Sequence, residues 1–515
     1  MKWISLTEEM RWADAYASEE MKVPSLLLME AAARSVALRL CELVDRENDD
    51  ILFLCGVGNN GGDGFACARM MKHLGYSVRV FYTGSVSSLK GDAKTNYEAL
   101  SGYGVSVLTM DQGSAFNHLA ETSEWVVDAM FGTGIDRNVT GFLAQIVTSI
   151  NELHDDGRCK VISVDIPSGI HGDTGKVMGC AVKADETITF CRLKPGLILY
   201  PGCDHAGKVT IADIGIPEHI PPLLEAHYFQ LDKEDLVTLI PPRQSRSHKG
   251  LYGHLLVVAG SRYMTGAACF SSGAAYKAGA GLVECAIPEQ ASTVVMTNVP
   301  ECITYPYSDE SDDFSWVKER VKASSTVLAG PGLSQQPYVR KLLKTLFTAV
   351  PKTKTLVLDA DALNWISSDE DLKAQIVKRG RNTILTPHIG EASRLMGKPI
   401  PEIMQDPIEA VRALADEFNC IVALKDALTL VAEPHGNIFF NSTGNNGMST
   451  AGSGDVLAGL IAGLSGQGMG AFEAACVGVY LHGLAGDAAA EKYGHYSMTA
   501  GDILKSIQIE KLMEA

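Results

Sequence analysis

Short apolar runs alternate with helix-length segments along most of the chain. ILFLCGVG from Ile51, VRVFYTG ending at Gly84, WVVDAMFG from Trp125 and KVISVDIPSG from Lys160 are rich in β-branched and aromatic residues, and each ends in glycine or a polar residue. Their continuous apolar character predicts parallel strands covered by helices on both faces. A second series follows in HLLVVAGS from His254, STVLAGPG from Ser325, TLVLDADAL from Thr355 and NTILTPHIGE from Asn382. Open parallel sheets bind ligands beyond the carboxyl ends of their strands, so chemistry is expected in the polar residues that close these runs.

Between the two series the segment from Ile216 to Gly250 is rich in proline and charge and has no long apolar period, which predicts a domain boundary near residues 225–245. The halves share no repeat, so the expectation is two different α/β domains, residues 1–230 and 231–515. With 515 residues and 46% hydrophobic content, both have ample material for a core. The net charge is 44 − 61 = −17, which argues against a nucleic-acid or anionic-membrane partner. No apolar run is long enough to span a bilayer and the first twenty residues carry acids throughout, so a cytoplasmic protein is expected. The twelve cysteines form no CxxC pair and read as reduced thiols.

The sharpest local signal of the first half is GVGNNGGDG, Gly56 to Gly64, between a strand-like run and the helical FACARMMKHLGY. A glycine-rich turn between strand and helix aims backbone N–H groups at phosphate. It is neither GxGxxG nor a P-loop. Two more acid-bearing strand ends belong to the same edge. VVDAMFGTGIDR carries Asp128 and a second glycine turn, and VDIPSG carries Asp165 and Ser168. Each Asp alone reads as a cap, a metal ligand or an acid/base; three together point to a site. Without a His/Cys cluster, Asn, Asp and Ser oxygens suit a hard cation.

In the second half STAGSGDVLAGLIAGL, from Ser449, places small residues before Asp455, which is expected to open a helix. Free amides at a helix start can hold a transferring phosphoryl group, with Asp455 beside them to take a hydroxyl proton. Arg243, Arg246, His248 and Lys249 read as linker charges, Arg243 above all.

Residues ~1–225 resemble the NAD(P)H-hydrate epimerase domain through LMEAAARSVA from Leu28, GVGNNGGDG, VVDAMFGTGIDR, SVDIPSG and LKPGLILYPG from Leu193. The resemblance implies a Rossmann-like three-layer αβα domain. It implies substrate contacts at Asn59, Asn60, Gly61, Gly62, Asp63, Gly132, Thr133, Gly134, Ile135, Asp136, Arg137 and Asp165, with K+ at Asn60, Asp128 and Ser168. Asp165 is expected to be the acid/base. Residues ~240–510 resemble the ADP/ATP-dependent NAD(P)H-hydrate dehydratases of the ribokinase-like α/β fold. The motifs are RSHKGLYGHLLVVAGS, AGPGL, DADALN, TPHIGEASRL, KDALTLV and the stretch from Gly266. Here the resemblance implies substrate contacts at Ala267, Gly332, His388 and Asp455. Nucleotide contacts fall at Lys425, Asp426, Ala427, Leu428, Thr429 and Gly454, with Mg2+ and ADP, or ATP, supplying the phosphoryl group. Asp455 is the expected base.

The fused order resembles bifunctional enzymes that repair NADHX and NADPHX, epimerising the R and S hydrates and dehydrating the S form. A homo-oligomer is expected. Two other readings are a ribokinase-type small-molecule kinase with an appended dinucleotide-binding module, which would release a phosphorylated product, and a non-catalytic dinucleotide sensor.

Overall fold

The computed structural model describes residues 1–110, 116–224, 227–310 and 313–514. The chain divides into two compact units, Lys2–Ala226 and His227–Ala515. The division lies a few residues ahead of the expected break at 230, because Tyr228–Gln230 forms a strand paired with Ile438–Phe440 and so belongs to the second unit.

The first unit begins with a short strand, β1 (Lys2–Ile4), and two helices, Thr7–Glu19 and Ser25–Leu43. Its sheet contains β2 (Asp50–Cys55), β3 (Ser77–Tyr82), β4 (Ser106–Thr109), β5 (Trp125–Ala129), β6 (Lys160–Val164), β7 (Glu186–Phe190) and β8 (Lys208–Ala212). The spatial order is β4-β3-β2-β5-β6-β7-β8 and every pairing is parallel. The order reverses between β2 and β5, where a doubly wound sheet opens a ligand crevice. Along β2, Ile51, Phe53 and Cys55 join one buried cluster, while Leu52 and Leu54 join another on the opposite face. That alternation within one apolar run is what burial on both faces requires.

The second unit contains β9 (Tyr228–Gln230), β10 (His254–Val258), β11 (Leu282–Pro288), β12 (Ile303–Tyr307), β13 (Thr326–Ala329) and β14 (Thr355–Leu358). These are followed by β15 (Thr383–Leu385), β16 (Ile421–Leu424), β17 (Leu430–Ala432) and β18 (Ile438–Phe440). They run β9-β18-β17-β16-β15-β14-β13-β10-β11-β12 across the sheet. From β12 to β16 all pairs are parallel, and β16-β17-β18 is an antiparallel meander. Helices Thr265–Lys277, Ser453–Gly466 and Ala471–Tyr493 cover it. Close approach among them depends on glycine: a Cβ on Gly459 would lie 2.2 Å from the Ser271 carbonyl oxygen.

All twelve cysteines are free thiols, seven of them buried. No helix is long and apolar enough to cross a membrane among the described residues. Arg243 is not a mere linker charge: it donates to the Gly279 carbonyl at 2.5 Å and lies over the Tyr252 ring, fastening the segment to the second unit.

Candidate active sites

The glycine-rich segment after β2 is not a loop through Gly64. Asn59 already opens a helix that runs to His73, with Gly58 extended at its cap. Composition reads as a turn, but packing selects a helix. A Cβ on Gly61 would sit 2.0 Å from the Gly56 carbonyl oxygen, and one on Gly64 would meet Ala129 and Cys55 below 3 Å. Only glycine lets the helix press so closely on the strand ends. Gly61 and Gly62 are buried behind the cavity wall, Gly62 against the Met29 side chain.

The wall itself contains the other predicted contacts. A cavity of about 930 Å³ is lined by Asn59, Asn60, Asp63, Gly132, Thr133, Gly134, Ile135, Asp136, Arg137 and Asp165, joined by Asp14 and Lys194. Asp165 stands just past β6 with φ +65°, a strained setting for a residue with a side chain. Lys194, almost fully buried, donates to Asp165 Oδ1 at 2.7 Å. Its other hydrogens go to Thr189 Oγ1 and the Phe190 carbonyl, both at 2.9 Å. Asp63 is half-buried on this wall; desolvation pushes its carboxyl well above the usual range, and Asp165 and Asp14 add to the shift.

The three residues assigned to K+ are linked through Ser168 and the Phe131 backbone. Asp128 is fully buried in β5 and accepts from Ser168 Oγ at 2.5 Å, Ser168 N at 2.7 Å and Ser163 Oγ at 2.9 Å. Burial raises its pKa, and the bonds from Ser168 and Ser163 oppose that rise. Asn60 Nδ2 donates to the Phe131 carbonyl at 2.9 Å, and Ser168 Oγ accepts from Phe131 N at 2.8 Å. The donor set is all oxygen around a buried acid that has no Lys or Arg bonded to it among the described residues, which suits a hard cation of low charge.

In the second unit Asp455 is the third residue of helix Ser453–Gly466 rather than its first; Gly452, with φ +92°, is the cap. Gly452 has no side chain to cap the helix, and Ser453 N–H is taken by the Thr450 carbonyl at 3.3 Å. The next two amides, of Gly454 and Asp455, precede the first intrahelical donor, since the helical bonds begin with Val456 N–H to the Gly452 carbonyl at 3.1 Å. Two donors at the positive end of a helix therefore point outward, as an anion site requires.

Lys425 closes the strand end opposite. Its Nζ bonds Asp359 Oδ1 at 2.7 Å, and Thr386 Oγ1 donates to the same oxygen at 2.7 Å. A Cβ on Gly454 would lie 3.3 Å from Lys425 Nζ, so the lysine sits at the helix start. Burial, with Asp359 adding and Lys425 opposing, raises the Asp455 carboxyl to about 7. Asp426, Ala427, Leu428 and Thr429 form the partly exposed loop from β16 to β17 that begins at this lysine. Ala267 and Gly332 face each other: a Cβ on Gly332, whose φ is +61°, would come within 2.9 Å of Ala267 Cβ. His388 caps helix Ile389–Met396, its Nδ1 accepting from Gly390 N at 2.9 Å, while its Nε2 lies 3.6 Å from Glu391 Oε1. Burial lowers its pKa, and Lys425 and Arg394 lower it further.

Three residues escaped the sequence reading. Lys194 lies inside a quoted motif, yet its pairing with Asp165 spans 29 positions. Asp14 reads as one of the acids scattered through the N-terminal stretch. His482, within helix Ala471–Tyr493, is buried with its Nε2 3.5 Å from Ser453 Oγ; burial, with help from Lys425, lowers it to about 4, so it is neutral.

A doubly wound dinucleotide-type crevice in one unit and a phosphoryl-transfer type of helix start with an adjacent acid in the other define a two-site α/β enzyme. Residues 25–196 match the YjeF-related protein N-terminus family and residues 255–509 match the NAD(P)H-hydrate dehydratase family. A bifunctional NAD(P)H-hydrate repair enzyme of Moorella thermoacetica is 38% identical over 96% of this chain and 94% of its own length. Its counterpart in Escherichia coli is 32% identical over 95% and 91%. A ribokinase-like superfamily protein of Enterococcus faecalis superposes on 56% of this chain and 96% of its own, with TM-score 0.50 and 26% identity. The chain belongs to the family of bifunctional NAD(P)H-hydrate repair enzymes.

Proposed function

We propose that this chain epimerises the R and S hydrates of NADH and NADPH in its first unit and dehydrates the S hydrate in its second, consuming ADP and releasing AMP and phosphate. The observation that carries the reading is the Asp455 carboxyl beside two outward helix-start amides and the Lys425–Asp359 pair. Asp455 takes the proton of the C6 hydroxyl. That oxygen attacks the terminal phosphoryl group, whose growing charge is held by the Gly454 and Asp455 amides. The C6–O bond to the new phosphate ester then breaks with help from the ring nitrogen, and loss of a C5 proton restores the dihydronicotinamide. Lys425, the 426–429 loop and Gly454 hold the nucleotide. Ala267, Gly332 and His388 hold the hydrate. Mg2+ normally binds through one or two carboxylates plus substrate phosphates, and is assigned to arrive with the nucleotide.

In the first unit the cavity holds the dinucleotide, Asn60, Asp128 and Ser168 hold K+, and Asp165 works at C6. Asp165→Asn is expected to slow epimerisation by about 10²–10⁴-fold. Lys194 keeps Thr189 and Phe190 as acceptors, so the variant folds. A full epimerisation rate with unchanged binding would remove Asp165 from that role.

The reading as a whole is tested by incubating the protein with mixed R and S hydrates, Mg2+, and ADP or ATP in separate reactions, and following both epimers by chromatography. Both should disappear, with free phosphate and NADH appearing together; with tetramethylammonium in place of K+, loss of the R epimer alone should slow. A stable phosphorylated hydrate would point instead to a kinase.

A further inference from the structure

Among the aspartates that line the epimerase cavity, Asp14 and Asp165 stand in unlike settings. Asp165 has Lys194 and Thr189 on one oxygen. Asp14, on helix Thr7–Glu19, lines the same cavity without a hydrogen bond of its own there. Its charge is felt by Asp63 and Cys191, while it feels Lys194 and Asp165 in turn, so the four acidic and basic groups Asp14, Asp63, Asp165 and Lys194 share one field. Arg11, one turn earlier on the same helix, also lines the cavity.

Inverting C6 needs a proton given to the hydroxyl that leaves and a proton taken from the water that returns. One group can do both only on one face of the ring. Paired groups whose surroundings differ are how sites divide acid from base work. Resting on the epimerase reading above, we propose that Asp14 is the second acid/base of this site: its carboxyl protonates the departing C6 hydroxyl, and Asp165 takes the proton of the water that adds to the other face.

The step balances. The C6–O electron pair leaves with oxygen, which takes the Asp14 proton and becomes water. The ring-nitrogen lone pair forms the C6=N1 bond. A water oxygen then bonds to C6, that π pair returns to nitrogen, and Asp165 holds the released proton. Asp14 is exposed, so exchange with bulk water resets both groups. In the opposite direction the two exchange roles. Desolvation by the cavity walls raises Asp14 to about 6, with Asp165 adding and Lys194 opposing. The working pair holds one proton, so kcat/KM should fall as pH rises above about 6.

The test is epimerisation of purified R hydrate by the full-length protein, wild type against Asp14→Asn and Asp14→Glu, from pH 5 to 9. We expect Asp14→Asn to lose about 10²–10⁴-fold in kcat with little change in KM. Its profile should lack the alkaline fall near pH 6, and Asp14→Glu should recover part of the rate. In heavy-oxygen water, wild-type product should carry the label at C6. A wild-type rate and profile in Asp14→Asn, or epimerised product without label, overturns the proposal and leaves the epimerase reading standing. Absence of epimerisation by the wild-type protein overturns both.

Discussion

Asp455→Ala is expected to lose dehydration by at least about 10²–10⁴-fold while nucleotide still binds. The side chain is not needed to hold the helix: Gly452 is the cap, and no side-chain cap bond exists to lose. The Gly454 and Asp455 amides belong to the backbone and survive the substitution, so the anion site persists without its base. The pH profile is a second, independent readout. Asp455 acts as a base and must be ionised. Burial, with Asp359 behind it, holds its pKa at about 7, so kcat/KM for dehydration should rise with pH through about 7 and level off above it. A residue that merely filled space would leave that limb unchanged. Following NADH formation from S hydrate and ADP across pH 5.5–9 checks both points, and near-normal turnover by Asp455→Ala would remove it from the mechanism.

How far the sequence could lead is best seen residue by residue. Apolar runs such as ILFLC and TLVL became β2 and β14 because their continuous burial leaves one structural solution in a parallel sheet. Asp128, Asp165 and Asp455 were legible because they follow directly from strand ends or a small-residue run. The start of helix Asn59–His73 was not legible. Asn and Gly favour turns locally, and only contacts with Gly56, Cys55 and Ala129 make helix the better state. Asp14 and Lys194 were hidden for a different reason. Their meaning lies in a field shared with Asp165, and a single chain read in order carries no signal of which distant charges will meet. His388 shows the bland reading directly: its Nδ1 caps a helix, as a loop histidine would, and its Nε2 lies beside Glu391.

Lys425→Met should damage the second unit severely, because it removes the proposed nucleotide contact and strands a charge. Asp359 is 2% exposed and depends on Lys425 Nζ and Thr386 Oγ1 for its Oδ1. Breaking a buried pair from one side costs about 3–5 kcal/mol, much of it the desolvation of the charge left behind. Urea unfolding of Lys425→Met should show a loss of that order. Lys425→Met combined with Asp359→Asn should be more stable than Lys425→Met alone, since it leaves no buried charge unpaired. If the single variant is as stable as wild type, the pair contributes nothing to folding. Activity separates from stability in this pair: neither variant should bind ADP normally, because the ammonium that lies beside Gly454 is gone from both. Lys425 also opposes the rise in the Asp455 pKa, so any residual dehydration by the single variant should need a higher pH than wild type. One ammonium thus neutralises Asp359, keeps Asp455 ionisable near neutrality and, in the proposed reaction, meets the phosphate, and the double variant distinguishes the first duty from the other two.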